Sequence, residues 1–237
     1  MLTETWFTDV VTDAELSFNS TYNVLRRDRA THSGGGVCVL VHNSICVTRL
    51  DVEPELEVVA LDVLSNLESL RLVCVYLTNA GSAAERLIRT RAVCERLDSL
   101  CDHDSPVIIV GDFNFPHIDW TSDIADDSAT SSNVFLTCVR DNNLHQLVGL
   151  PTHNSGSTLD LLLVSDPDHI SDLVCMPSPI LSDHLALRFS IVPITLKSLD
   201  PVTSPDFLHM DEESIALHLD AINWQTFFAV CSDVNDM

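Results

Sequence analysis

The chain has 237 residues, 46% hydrophobic and 20% charged, a composition typical of one large α/β domain or two small globular domains. No run of about 18 apolar residues suggests a membrane helix, and the N-terminal segment does not resemble a signal peptide. The net charge of −23, with Lys197 as the only lysine, argues against sequence-independent coating of DNA. Action on nucleic acid through local arginines and a divalent metal remains compatible with this charge.

Apolar runs in the first half of the chain predict several strands. These strands cover residues 37–41, 58–63 and 70–76, and a hairpin-like connection covers 65–69. The segment from Tyr22 to Arg29 is polar and basic, and the glycines that follow it indicate a flexible turn. Between Ala84 and Cys101 the apolar residues recur at helical spacing, which predicts an amphipathic helix with its arginines exposed.

The most informative stretch is a short buried strand over 107–110 that ends in Gly111-Asp112-Phe113-Asn114. Side chains two residues apart in an extended segment point to the same side. Asp112 and Asn114 are therefore expected to face one pocket, where they could hold a water, a metal or a phosphate oxygen. An ordinary Asx turn after a strand is the alternative.

The second half of the chain alternates between loops and short regular elements. We predict a loop over 121–132, a helix over 134–141, a strand over 159–164, an irregular segment over 165–179 and a last strand over 185–192. Hairpin-like and helical connections together favour a layered α/β domain with mixed sheets. From residue 193 onward, prolines and acidic residues predict a linker or tail.

The eight cysteines are scattered and include no C-x-x-C pair. We expect buried free thiols in a reducing compartment, because neither a zinc site nor a disulfide framework fits this spacing.

Four acidic residues, a tyrosine, an asparagine and a histidine lie at the predicted strand ends, a pattern typical of a catalytic site. They are Glu4, Tyr76, Asp112, Asn114, Asp160, Asp183 and His184. Oxygen ligands such as Glu4 and Asp183 suit Mg²⁺ or Mn²⁺, and a histidine beside a carboxylate suits a base or a phosphate contact. Each residue could instead be a loop cap, a solvated acid or a half-buried aromatic. The arginines at 26, 27 and 29 fit a phosphate contact and a solvated face equally well.

The order of these motifs resembles the endonuclease/exonuclease/phosphatase superfamily, and more narrowly the apurinic-type endonuclease domain of non-long-terminal-repeat retrotransposons. The motifs are E-T-W, R-R-D-R with G-G-G-V, V-Y, V-G-D-F-N, L-D-L and S-D-H, spread over residues 1–192. The resemblance implies a four-layer α/β/β/α sandwich with two mixed sheets and its site at the strand ends. It also implies that the tail over 193–237 leads toward a reverse transcriptase.

The same resemblance implies a role for each site residue. Glu4 would be the main metal ligand, with Asp183 near the metal. Asp112 would orient or deprotonate the attacking water, which Asn114 would help to hold. Tyr76 and His184 would contact the phosphate, and Asp160 would fix the tautomer of His184. The expected nucleic-acid contacts come from Arg26, Arg27, Arg29, Thr152 and His153.

The sequence departs from the family pattern in three places. The family has a first strand with an asparagine, and a first helix, before its E-T-W motif, whereas only three residues precede Glu4. His153 follows Pro151-Thr152 where the family commonly has arginine, and Tyr76 is not followed by a Pro-rich turn. We therefore expect a fragment that is truncated at both ends, with the first strand and helix missing.

The resulting functional hypothesis is a Mg²⁺- or Mn²⁺-dependent endonuclease that nicks DNA to prime reverse transcription. The alternatives are a catalytically inactive retrotransposon fragment and a phosphodiesterase acting on small phosphoesters. We expect a DNA substrate, no membrane or lipid partner, and a reverse transcriptase domain that is lost or encoded downstream. An intracellular protein of the nucleus or cytoplasm fits this hypothesis.

Overall fold

The computed structural model describes residues 1–29, 34–64, 69–126 and 129–192. The helices are α1 (Asp13–Leu16), α2 (Ala83–Cys101) and α3 (Thr130–Asp141), with a 3₁₀ turn at Pro167–His169. The strands are β1 (Leu2–Thr3), β2 (Tyr22–Arg27), β3 (Val37–His42), β4 (Val47–Leu50), β5 (Val58–Leu64), β6 (Ser69–Tyr76), β7 (Val107–Asp112), β8 (Ile118–Asp119), β9 (Ile124–Ala125), β10 (His145–Gln146), β11 (Asp160–Val164), β12 (Ile170–Pro177) and β13 (Leu185–Ile191).

A six-stranded sheet in the order β10-β11-β7-β6-β5-β4 forms the centre of the domain. It is mixed, because β6 and β7 pair in parallel while the other neighbours are antiparallel. The helix α2 connects the two parallel strands and begins with a capping box, in which the Ser82 hydroxyl accepts a hydrogen bond from the Glu85 backbone N–H. The strands predicted around 37–41, 58–63, 70–76, 107–110 and 159–164 are confirmed.

Both faces of the central sheet are covered, which explains why its strands are apolar at consecutive positions. One face packs against α2 and α3 through residues such as Val93, Leu97 and Phe135. The other face packs against the outer strands, where Leu61 and Leu162 meet the inward side chains of β3. The prediction of a layered α/β fold is confirmed. Of the four predicted layers, α/β/β/α, the described residues form a helical layer, the mixed central sheet and an outer β layer.

The outer β layer consists of two separate antiparallel sheets, β1-β3-β2 and β12-β13. A cavity of about 970 Å³ lies between them and is lined by Leu2, Val39, Leu72 and Phe189 among others. Its lining also includes Asp112, Asp160 and His184, so the cavity extends to the predicted site. Within the described ranges no strand bridges the two outer sheets.

Some local predictions were wrong. The segment predicted as irregular over 165–179 contains strand β12. Strand β2 begins at Tyr22, in a polar segment for which no strand was predicted. The apolar alternation along β12 is interrupted because its pairing with β13 shifts register between Ser171 and Val174. Half of the residues in β12 are also exposed. In α2 the buried face starts later than predicted, at Thr90, and Ile88 is 67% exposed.

Two further predictions concern the thiols and the tail. Cys38, Cys74, Cys94 and Cys138 are buried and free, whereas Cys46 is exposed. The predicted acidic tail over 193–237 lies outside the described residues. None of the helices in the described part of the chain has the length and apolar character needed to cross a membrane.

Candidate active site

Three strand ends of the central sheet place Tyr76, Asp112 and Asp160 side by side. In the strand register Asp112 lies opposite Tyr76 on one side and opposite Asp160 on the other. Residues at every second position of a strand share a face, and the alternation along β7 and β11 puts both acids on the side that faces the outer β layer. Two carboxylates and a phenol therefore lie next to one another at the same end of the three strands.

The turn after β7 connects Asp112 with Asn114, as the sequence predicted. Asn114 has a positive φ of 53°, a conformation that asparagine tolerates better than most residues. Its backbone N–H donates to Asp112 Oδ1 over 3.0 Å, and its side-chain Nδ2 donates to Asp112 Oδ2 over 3.0 Å. The carboxylate of Asp112 is thereby fixed in one orientation at the edge of the pocket.

The outer β layer supplies the other two members of the site. Glu4 follows β1, and its carboxylate accepts a hydrogen bond from the Tyr76 hydroxyl. His184 precedes β13, and its Nδ1 lies 2.8 Å from Asp160 Oδ2. Side chains that are distant in sequence thus meet across the end of the two β layers, and the predicted contact between Asp160 and His184 is present.

Burial and close charges shift the acid–base properties of these groups. Burial raises the pKa of Asp112 to about 7, and the neighbouring Asp160 adds to this rise. The hydrogen bond with Asp160 raises the pKa of His184 to about 9. Burial also raises the pKa of Tyr76, with a further contribution from its bond to Glu4. At neutral pH the site therefore holds an imidazolium beside a buried carboxylate that can carry a proton.

The pKa of His184 leads to a prediction about stability. The pKa of His184 is about 9 in the folded protein and 6.5 ordinarily, so the folded state binds the proton more tightly. The protonated His184 therefore contributes its full stabilisation below pH 6.5, and this contribution is lost as the pH rises through 9. Because the ring is partly exposed, we expect His184→Gln to lower the free energy of unfolding by about 1–2 kcal/mol at pH 6 and by much less at pH 10. Urea unfolding in EDTA at the two pH values measures this difference, and a pH-independent gap would contradict it.

Each of the three predicted DNA-contacting arginines has a different intramolecular partner. Arg26 pairs with Asp13 over 2.9 Å, and Arg27 donates to the Val52 carbonyl over 3.0 Å. Arg29 pairs with Glu57, and its guanidinium lies 5.8 Å from the centre of the Tyr76 ring. Of the three, Arg29 is therefore the one that directly contacts a residue of the site.

The other predicted nucleic-acid residues have different environments. Thr152 is fully buried, and its hydroxyl accepts hydrogen bonds from the backbone N–H groups of Leu159 and Asp160 over 3.0 Å. Its side chain is thus inaccessible to DNA and instead positions Asp160. His153 is partly exposed beside His184, and its Nε2 lies 3.0 Å from Asp183 Oδ2. Asp183 therefore contacts a histidine, and the hydrogen bond with His153 holds the pKa of the Asp183 carboxyl below its ordinary value.

Sequence analysis did not identify Glu57 as part of the site. Its carboxylate, which is only 12% exposed, binds Arg29 and thereby holds the guanidinium next to Tyr76. The hydrogen bond with Glu57 also raises the pKa of Arg29. A single acid before a strand has no distinguishing sequence pattern, so only the fold reveals this contact.

Comparisons with known proteins show the family and the fold of the chain. The sequence profile of the endonuclease–reverse transcriptase family matches residues 70–188, half of the chain. No curated protein matches the sequence. The endonuclease domain of TRAS1, a telomere-specific non-LTR retrotransposon, is similar in structure, with a TM-score of 0.53 at 17% identity over 72% of this chain and 78% of that one.

Two further solved structures share the fold. A 3′ phosphatase, NExo, from Neisseria, bound to a product DNA hairpin, has a TM-score of 0.59 at 16% identity over 80% of this chain and 87% of that one. An AP endonuclease from Archaeoglobus fulgidus has a TM-score of 0.54 at 14% identity over 81% of this chain and 87% of that one. Together with the family match, this shared fold shows that the chain belongs to the endonuclease–reverse transcriptase family of the endonuclease/exonuclease/phosphatase superfamily.

Proposed function

We propose that the chain is a divalent-metal-dependent phosphodiester hydrolase that nicks DNA, as the endonuclease of a non-LTR retrotransposon would do to prime reverse transcription. One observation carries this proposal. Asp112, the Asp160–His184 pair and the Glu4–Tyr76 pair lie together at one end of the central strands. Such a cluster of carboxylates, imidazole and phenol suits general acid–base chemistry on a phosphodiester.

The oxygen donors at this end of the strands fit a hard divalent cation. Glu4 is exposed and accepts a hydrogen bond from the Tyr76 hydroxyl, and Tyr76 and Asp160 lie on either side of Asp112 in the strand register. Carboxylate oxygens are the ligands that Mg²⁺ and Mn²⁺ prefer, so Glu4 would be the principal ligand. A bound cation would polarise a phosphoryl oxygen and lower the pKa of a coordinated water.

The protein groups would divide the remaining work. Asp112, held by Asn114, would orient the attacking water and accept its proton. His184, kept protonated by Asp160, would bind a phosphate oxygen as a cation. The Tyr76 hydroxyl donates to Glu4, and once Glu4 binds the cation it would donate to another oxygen of the same phosphate instead. Because both donors lie at the site before the substrate binds, stabilisation of the developing negative charge would be the main contribution to rate.

Similar proteins and the net charge point to different substrates. The TRAS1 domain is described as an endonuclease of a retrotransposon, and the Neisseria enzyme holds a DNA hairpin, which supports DNA. The net charge of −23 instead favours a small phosphoester, because a DNA-binding surface usually carries excess positive charge. We favour DNA, with Arg29 beside Tyr76 as the local positive group, and keep the small phosphoester as the second candidate.

The test compares a labelled duplex oligonucleotide with bis(4-nitrophenyl) phosphate. We expect Mg²⁺-dependent cleavage of the duplex that EDTA abolishes, with the small ester hydrolysed more slowly. Asp160→Asn should lower duplex cleavage by about 100-fold or more, because His184 loses the partner that orients it. Asp104→Asn, at the opposite end of β7, is the control and should keep wild-type activity.

The alternatives have their own outcomes in the same assay. Hydrolysis of the small ester without duplex cleavage would show that the substrate is a small phosphoester and not DNA. Wild-type rates no higher than those of Asp160→Asn on both substrates would show a catalytically inactive fragment.

A further inference from the structure

A second cluster of metal-ligand side chains lies beside the proposed Mg²⁺ site. Single donor atoms of His153, Asp183 and His184 lie within 4.8 Å of one another. The two imidazole rings are 4.8 Å apart, centre to centre, in an edge-to-face arrangement, and His153 Nε2 is 3.0 Å from Asp183 Oδ2. Two nitrogens and one carboxylate oxygen are the donors of many zinc centres, whereas Mg²⁺ requires a shell of oxygens.

Backbone contacts hold these three residues in a fixed arrangement. His153 and His184 form an isolated antiparallel bridge. On either side of it, the Asn154 N–H donates to the Asp183 carbonyl over 3.0 Å and the Leu185 N–H donates to the Thr152 carbonyl over 2.7 Å. The loop that carries His153 is thus tied to the segment that carries Asp183 and His184, so little rearrangement is needed to close the cluster on an ion.

Each histidine also has an outer partner of the kind that supports metal ligation. Asp160 binds Nδ1 of His184 over 2.8 Å, so Nε2 is the atom that can bind a metal once it releases its proton. The Ser155 N–H donates to Nδ1 of His153 over 3.0 Å, so metal binding at Nε2 of His153 would require its proton to move to Nδ1. Ser155 Oγ, 2.7 Å from this nitrogen, could then accept a hydrogen bond from it. Such outer hydrogen bonds orient metal-binding imidazoles and strengthen them as ligands.

We propose that His153, Asp183 and His184 form a second metal site that binds Zn²⁺, and that its occupancy stops phosphodiester cleavage. The inhibitory part rests on the proposed function, because a zinc ion on His184 Nε2 would occupy the atom that would otherwise bind the phosphate. Water would complete the tetrahedral shell. Because Zn²⁺ competes better than Mg²⁺ for nitrogen ligands, low concentrations of Zn²⁺ would act even in excess Mg²⁺.

The first test uses Co²⁺ as a spectroscopic substitute for Zn²⁺ in the absence of DNA. The wild-type protein should show the visible absorption of tetrahedral Co²⁺, and added Zn²⁺ should remove it. His153→Gln and Asp183→Asn should each weaken Co²⁺ binding by at least about tenfold, while His145→Gln, an exposed histidine outside the cluster, should bind as the wild type does. Circular dichroism checks that each variant is folded. Absent bands, or unchanged binding in both cluster variants, would overturn the site.

The second test measures nicking in Mg²⁺ as Zn²⁺ is added, with each variant compared to its own rate without Zn²⁺. Half-inhibition of the wild type should occur at the Zn²⁺ concentration that half-saturates the site, and at least about tenfold higher in His153→Gln. Zinc that binds without slowing cleavage would overturn the inhibitory role. A protein that never nicks DNA would refute the proposed function, while the Co²⁺ titration would still decide whether the site exists.

Discussion

Replacing Asp112 by asparagine is expected to stabilise the metal-free protein while abolishing its activity. The folded-state pKa of about 7 lies above the ordinary 3.8, so the ionised carboxylate destabilises the folded state increasingly as the pH rises from 4 through 7. At pH 8 the neutral amide should raise the free energy of unfolding by about 1–3 kcal/mol. The same change removes the proposed proton acceptor and should reduce nicking by about 1,000-fold.

Urea unfolding in EDTA at pH 8 and pH 4 measures the stability part of this prediction. The stabilisation should be present at pH 8 and largely disappear at pH 4, where the carboxyl is protonated in the folded state and only about half ionised in the unfolded state. Asp104→Asn, an exposed acid at the other end of β7, should change neither stability nor activity. A loss of stability on replacing Asp112 would mean that its carboxylate is already compensated in the folded protein, contrary to the description of the site.

Replacing Gly111 by alanine is expected to destabilise the whole domain. A Cβ atom at this position would lie 1.8 Å from the Val75 carbonyl oxygen, far inside any allowed contact. The clash falls where β6 and β7 pair in parallel, one residue before Tyr76 and Asp112 in the register, so relief requires the two central strands to move apart. We expect a loss of about 3 kcal/mol or more in the free energy of unfolding, together with loss of activity.

Gly149→Ala is the matched control for this substitution. Nothing lies within 4 Å of a Cβ at Gly149, so the change should leave the urea midpoint nearly unaffected. Equal midpoints for the Gly111 and Gly149 variants would contradict the close strand contact at Val75.

The central sheet was predictable because its physical signal is local. Strands such as β6 and β7, buried on both faces, appear in the sequence as continuous apolar runs. The half-exposed strands β2 and β12 gave no such run: Tyr22 begins a polar segment, and β12 is interrupted by a register shift. Edge and surface strands depend on pairing with distant segments, which composition alone does not reveal.

The site was predictable in its residue types more than in its contacts. Asp112 and Asn114 share one short turn, so their proximity follows from spacing alone. The pairing of Asp160 with His184 came from the family resemblance and is present in the structure. The environment of Thr152 could not be inferred, because its burial against the start of β11 depends on how a loop folds back. The ion pairs of Arg26 and Arg29 could not be inferred either, because they join residues that are distant in sequence.

Relaxation of supercoiled plasmid in Mg²⁺, by the purified chain and by the folded Asp112→Asn variant, shows whether residues from two β layers form one centre that breaks phosphodiester bonds. The wild-type protein should convert supercoiled to open-circular DNA at least about 100 times faster than the variant, and EDTA should stop it. Equal rates of the two proteins in Mg²⁺ would contradict the account.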